Sequence, residues 1–150
     1  MDTYAPVVKL ASIRIFLAIA AIYGLEIHQM DVVTAFLAGK LKEEIYMEQP
    51  EGFKIGMNLV CKLLRSLYGL QQAPRIWNRR IRKFLKSIGF DQTHSDPCVY
   101  INKETRVIIA MWVDDLVIFG KDTASINELK AELKKEYEMK DPSIWCISNP

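Results

Sequence analysis

Two hydrophobic periods alternate along this 150-residue chain. The first apolar stretch carries Val7, Leu10, Arg14 and Leu17 at helical spacing, which predicts a buried amphipathic helix over about Val8 to Tyr23. Its apolar centre, Ile15 to Tyr23, is far shorter than the roughly 20 residues of a membrane span. It also fits a buried helix better than a signal-peptide core. An apolar strand is expected from Glu26 to Val33, then a short helical piece over Ala35 to Leu41 and a strand at Ile45 to Glu48. Pro50-Glu51-Gly52 reads as a turn, and Leu59 to Leu64 as strand or loop. Pro74 and Gly89 bracket a helix. Within it Trp77, Ile81, Phe84, Leu85 and Ile88 form one apolar face. A strand is expected at Pro97 to Asn102. Val107–Val113 and Leu116–Phe119 read as a hairpin with Asp114-Asp115 as its two-residue tip. Ser125 and Glu128 have capping-box spacing, and Ile126, Leu129, Leu133 and Tyr137 give the last helix its inner face. These elements predict one α+β domain, an antiparallel sheet with helices packed on one face.

Composition adds little: half the residues are hydrophobic and the mean hydropathy is +0.03, as in an ordinary globular domain. Cys61, Cys98 and Cys146 are odd in number and widely spaced, so buried free thiols are expected rather than a disulfide framework or a zinc site.

Charge changes the picture. The net charge is only +2, yet Gly52 to Phe90 holds nine bases and no acid. Arg75, Arg79, Arg82 and Lys86 recur on one helical face. Such a stripe is either a solvated surface or a track for an anionic polymer. Three acids stand in hydrophobic, strand-like surroundings, where Asp is disfavoured: Asp31, Asp114 and Asp115. Taken singly, Asp-Asp suits a turn and Asp31 a cap. Taken together on neighbouring strands, three carboxylates repel unless divalent cations neutralise them. All-oxygen ligands select Mg²⁺ or Mn²⁺. Two such ions clamp the attacking and leaving oxygens of a phosphoryl transfer. An α+β RNA-binding sandwich would need paired aromatics on a central strand, and no such run is present.

Five ordered blocks then carry a resemblance. Gln29-Met30-Asp31-Val32-Val33-Thr34-Ala35-Phe36-Leu37 resembles the first palm motif of reverse transcriptases of copia-type LTR retrotransposons. Ile45 to Phe53, Ser66 to Trp77, Ser95 to Tyr100 and Trp112-Val113-Asp114-Asp115 are similar to the blocks that follow in that family. The resemblance implies a polymerase palm with part of the fingers over residues 1–141, followed by a divergent tail, 142–150. It implies RNA-directed DNA synthesis, with a dNTP added to a primer 3′-hydroxyl on an RNA or DNA template. Asp31 and Asp114, helped by the Val32 carbonyl, would hold two Mg²⁺ or Mn²⁺ ions, and Asp115 would complete the triad. Ala35, Phe36, Tyr68 and Gly69 would line the incoming nucleotide. Phe36 would act as a steric gate against the ribose 2′-hydroxyl, or else be a plain core residue. Arg75, Arg79, Arg82 and Lys86 would contact nucleic acid. Cytoplasmic virus-like particles or the nucleus, and neither secretion nor a membrane, follow from the same resemblance. Trp112 stands where the family usually has Tyr. The family's basic fingers strands and primer-positioning hairpin find no counterpart, so a truncated piece is expected, and a catalytically inactive remnant that at most binds nucleic acid is the alternative.

Overall fold

The computed structural model describes residues 6–37 and 39–145. Three helices, α1 (Leu10–Tyr23), α2 (Ala73–Ser87) and α3 (Thr123–Glu136), accompany eight strands. These are β1 (Glu26–Val32), β2 (Lys40–Glu48), β3 (Val60–Arg65), β4 (Phe90–Gln92), β5 (Val99–Asn102), β6 (Ile108–Trp112), β7 (Asp115–Gly120) and β8 (Met139–Trp145). Six strands form one antiparallel sheet in the order β4-β5-β6-β7-β1-β8, and β2 and β3 make a separate ribbon. The α+β class and the antiparallel sheet are those the sequence predicts.

Strand periodicity sorts the sheet into two unlike faces. The row Tyr100, Ile109, Ile118, His28 runs across four strands on one face, and each of its members is 1% exposed or less. Met30, Val32, Leu116 and Met111 belong to the same buried face. Beneath it α2 and α3 lie side by side, with the Tyr137 ring edge-on to both Trp77 and Phe84. Ile126 of α3 presses on Gly120. The opposite face holds Gln29, Asp31, Asp115, Val117 and Trp112, none of them buried. At the far end of that face α1 rests on β7 through Phe16 and Phe119.

Several expectations change in detail. Ala35–Leu37 is only a 3-10 turn, and Lys40 and Leu41 already belong to β2. Helix α1 forms, but Leu10 and Leu17 lie exposed and only Ala20 is buried. Its apolar residues surround it, so periodicity could not select the inner face. The cap of α3 is Asp122, which accepts from the Ala124 and Ser125 N–H groups, so Ser125 lies inside the helix. The residues from Met139 onward continue as β8, and the expected boundary after Asp141 falls within that strand. Asp141 pairs with Lys130 at 2.8 Å and Lys134 at 3.1 Å, tying β8 to α3. Cys61 and Cys98 are free thiols. Burial first, then the Asp96 charge, pushes the Cys98 thiol up to about 11. Cys146 lies outside the described residues.

Asp96 is the main polar contact holding the start of α1 to the sheet. It is 2% exposed. It accepts from the Lys9 N–H at 2.9 Å, the Ser12 hydroxyl at 2.6 Å and the Cys98 N–H at 3.0 Å. Burial alone would raise its pKa, but these bonds outweigh it and the value falls below the ordinary 3.8. Its stabilisation is therefore complete above about pH 4 and is lost as pH falls through the folded-state value, because the unfolded chain takes up the proton first. Asp96→Ala strands three donors, and a cost of about 2–4 kcal/mol is expected, or roughly 5–15 °C in Tm. Melting curves between pH 2 and 7 check it: the variant's curve should be flatter than the wild type's below pH 4.

Candidate active site

Asp31 is the penultimate residue of β1 and Asp115 opens β7, and the two are direct partners across the antiparallel ladder. Directly opposite residues share a face, with Cβ atoms roughly 4.5–5.5 Å apart. Both acids therefore stand on the open face. Trp112 pairs with Asp115 in the β6–β7 hairpin, so the two-residue tip is Val113-Asp114 rather than Asp114-Asp115. Asp114 is thus free of the ladder and projects from the tip.

The tip is held from three sides. The Val32 N–H donates to the Asp114 carbonyl at 3.1 Å. The Trp77 indole N–H donates to the Val113 carbonyl at 2.8 Å. Tyr68 donates its hydroxyl to Asp114 Oδ2 at 3.1 Å. Val113 sits at φ 58°, a left-handed conformation that a β-branched residue resists. Such strain persists only where neighbours over-determine it, and the Trp77 tether does so here. Asp115 accepts from Gln29 Nε2 at 3.2 Å.

Tyr68 reaches the tip from a built loop. Ser66 is fixed by its N–H to the Gly39 carbonyl at 2.8 Å and by its hydroxyl to the Phe36 carbonyl. A Cβ on Gly39 would overlap Ile76 of α2, so only glycine lets this segment lie so close. Leu67 to Leu70 then form a turn, closed by the Leu70 N–H on the Leu67 carbonyl at 3.2 Å. Gly69 takes φ 94° as its third residue, which is the glycine position of a type II turn. The turn throws Tyr68 outward, edge-on to Phe36 with ring centroids 4.5 Å apart. Partial burial first, then the charge and hydrogen bond of Asp114, raises the Tyr68 pKa. The phenol stays a donor.

The remaining predicted residues divide. Phe36 is buried but walls the site through Tyr68. Ala35 and Val32 are wholly buried, so neither presents surface at the site. Arg79, Arg82 and Lys86 are exposed and Arg75 half-buried on α2, the helix under the buried face. The start of α2 reaches the tip through the Trp77 indole N–H. The sequence alone did not show that Trp77 and Gln29 position the acids. A buried indole must find an acceptor for its N–H, and that was the available signal.

The donor set fits a hard divalent cation: three carboxylates, all oxygen, around one tip. Among the described residues none of the three pairs with a Lys or Arg. Nor do three acidic, His or Cys side chains close into a preformed cage among those residues. The carboxylates are grouped but spread, with Asp115 drawn toward Gln29 and Asp114 toward Tyr68.

An antiparallel sheet open on its acidic face and backed by helices on the other is a palm-like α+β domain. The chain matches the reverse transcriptase (RNA-dependent DNA polymerase) family over residues 1–145, and it belongs to that family. It is 50% identical over 145 residues to the retrovirus-related Pol polyprotein from transposon TNT 1-94 of Nicotiana tabacum, covering 93% of this chain and 11% of that polyprotein. It is 40% identical over 144 residues to the Pol polyprotein from transposon RE1 of Arabidopsis thaliana, covering 93% and 10%. It is also 40% identical over 116 residues to a putative transposon Ty5-1 protein of Saccharomyces cerevisiae, covering 75% and 38%. The chain thus spans about a tenth of the Pol polyproteins. These relatives are of the copia type. Among the described residues no helix is long and apolar enough to cross a membrane.

Proposed function

We propose that this chain carries the nucleotidyl-transfer centre of an RNA-directed DNA polymerase, which adds a dNTP to a primer 3′-hydroxyl. The observation that carries the reading is the pairing of Asp31 with Asp115 beside Asp114 on the open face, where among the described residues no Lys or Arg forms an ion pair with any of the three. Divalent Mg²⁺ or Mn²⁺ held by Asp31, Asp114 and Asp115, with the Val32 carbonyl, would supply the Lewis acidity that activates the hydroxyl and stabilises departing pyrophosphate. Tyr68 fixes Asp114 and, with Phe36 behind it and Gly69 beside it, forms one wall for the nucleotide. A wall built from rings excludes bulk instead of recognising a group, which favours a dNTP over an rNTP. Trp112, 45% exposed beside Asp115, offers a stacking surface for a primer–template base. Arg75 and Arg79 supply phosphate contacts near the start of α2, with Arg82 and Lys86 further along it. Residues 1–141 form the palm with part of the fingers, and β8 closes the sheet at its edge. The place of action is a virus-like particle or the nucleus.

The spread of the carboxylates favours a second reading, an inactive remnant that retains nucleic-acid binding. Mn²⁺ titration separates the two. With Mn²⁺ at about ten times its Kd, metal linkage stabilises the fold by about 1.4 kcal/mol, a Tm rise of roughly 3–6 °C. Templated addition of one dNTP to a primer should accompany it. If millimolar Mn²⁺ leaves both the melting curve and the primer unchanged, the remnant reading is correct.

A further inference from the structure

A second concentration of unanswered polar groups lies on the other side of the sheet. Between the latter half of α2 and the β4 edge is a cavity of about 360 Å³, lined by Arg82, Lys86, His94 and Tyr100 among others. Tyr100 belongs to the buried row of the sheet, opposite in facing to Asp31 and Asp115. It is 1% exposed, and its hydroxyl has no hydrogen-bond partner among the described residues. A buried hydroxyl left unpaired is costly, so its persistence calls for a group to receive it. Arg82 and Lys86 sit one turn apart on α2, where like charges repel. Among the described residues neither forms an ion pair, whereas nearby Arg80 pairs with Glu136 at 2.9 Å. The cavity's one acid, Asp91, is paired with Lys103 at 3.3 Å. The wall is preorganised: the Gln92 side chain donates to the Pro97 carbonyl, and Thr93 Oγ1 donates to the Asp96 carbonyl at 2.8 Å. Two uncompensated cations, an orphan donor and an imidazole around a half-open cavity are complementary to a small, multiply charged oxyanion. The volume suits a phosphate with a sugar attached.

We propose that this cavity is a phosphate site, in which Arg82, Lys86 and the Tyr100 hydroxyl hold the phosphate group of a small phosphate ester or of a nucleic-acid end. It stands on these residues alone and does not depend on catalysis at Asp114. Burial raises the Tyr100 phenol to about 12, so it remains a donor at neutral pH.

Titration of the full chain with inorganic phosphate, followed through the His94 ring resonances by NMR, tests it. A saturable shift at millimolar phosphate is expected. Arg82→Gln and Tyr100→Phe should each weaken it about tenfold, and Asp114→Asn should leave it intact. Arg82 is exposed, so its replacement keeps the test valid even if Tyr100→Phe disturbs packing. Two oligonucleotides of one sequence, with and without a 5′-phosphate, identify the source. Tighter binding of the phosphorylated strand, erased by Arg82→Gln, assigns the site to a nucleic-acid end; equal binding assigns it to a small ester. No saturable shift with phosphate, or a shift that survives Arg82→Gln unchanged, overturns the proposal.

Discussion

Asp114→Asn is expected to lower metal-dependent dNTP incorporation by on the order of a thousandfold, the scale on which a site loses preorganised charge at the reacting atoms. Asn keeps the volume and still accepts from Tyr68, so the loop of Ser66 to Gly69 should stay in place. Only the charge changes. Asp31 and Asp115 remain as a like-charged pair, and removing the third negative charge relieves repulsion. The Tm without metal is thus expected to stay level or rise, while the Mn²⁺-dependent rise disappears. Single-nucleotide incorporation and metal-titrated melting measure the two halves. A variant that incorporates at the wild-type rate, or still gains stability from Mn²⁺, would show that Asp114 holds no ion.

Trp77→Phe is expected to act on the same site from beneath. The ring remains to fill the core against Tyr137, but the N–H that restrains the Val113 carbonyl is gone. Val113 can then leave its φ of 58° and carry Asp114 with it. The lost buried hydrogen bond costs about 1–2 kcal/mol, and a displacement of about 1 Å at reacting groups costs up to a hundredfold in rate. A lower kcat at nearly constant KM for dNTP distinguishes this positioning role from damage to nucleotide binding. An unchanged kcat would show that Val32 and Tyr68 hold the tip unaided.

The sequence showed the acids more clearly than it showed their support. Asp31 and the Asp114-Asp115 pair were conspicuous because Asp is out of place in apolar strands, and their strands proved to be neighbours. The tip slipped by one residue because a β-branched residue at positive φ is something no local rule assigns; the Trp77 contact, 36 residues away in the chain, imposes it. Strand β8 was missed for a related reason. Lys140-Asp141-Pro142 carries neither alternation nor β-branched residues, and its extended form comes from pairing with β1. The basic stripe was read correctly as a helix face, but which side of the sheet that helix covers is a tertiary fact. Asp96 stood out only within a motif, although a lone acid beside Pro97 and Cys98 proved to be the clamp on α1.

The central position of β1 also sets a timetable for the nascent chain. Gln29 and Asp115, which meet across the β1–β7 ladder, are 86 residues apart, and β8 is later still. At about 5–20 residues per second, ribosomal elongation leaves β1 without either neighbour for roughly 4–17 s. During that wait Ile27, Met30 and Val32 have no sheet to enter, and both backbone edges of the strand stand open to other chains. Closure of so non-local a ladder is slow in its own right. The helix ahead of it, apolar all round, emerges first and is the nearest cover available to β1 until the hairpin arrives.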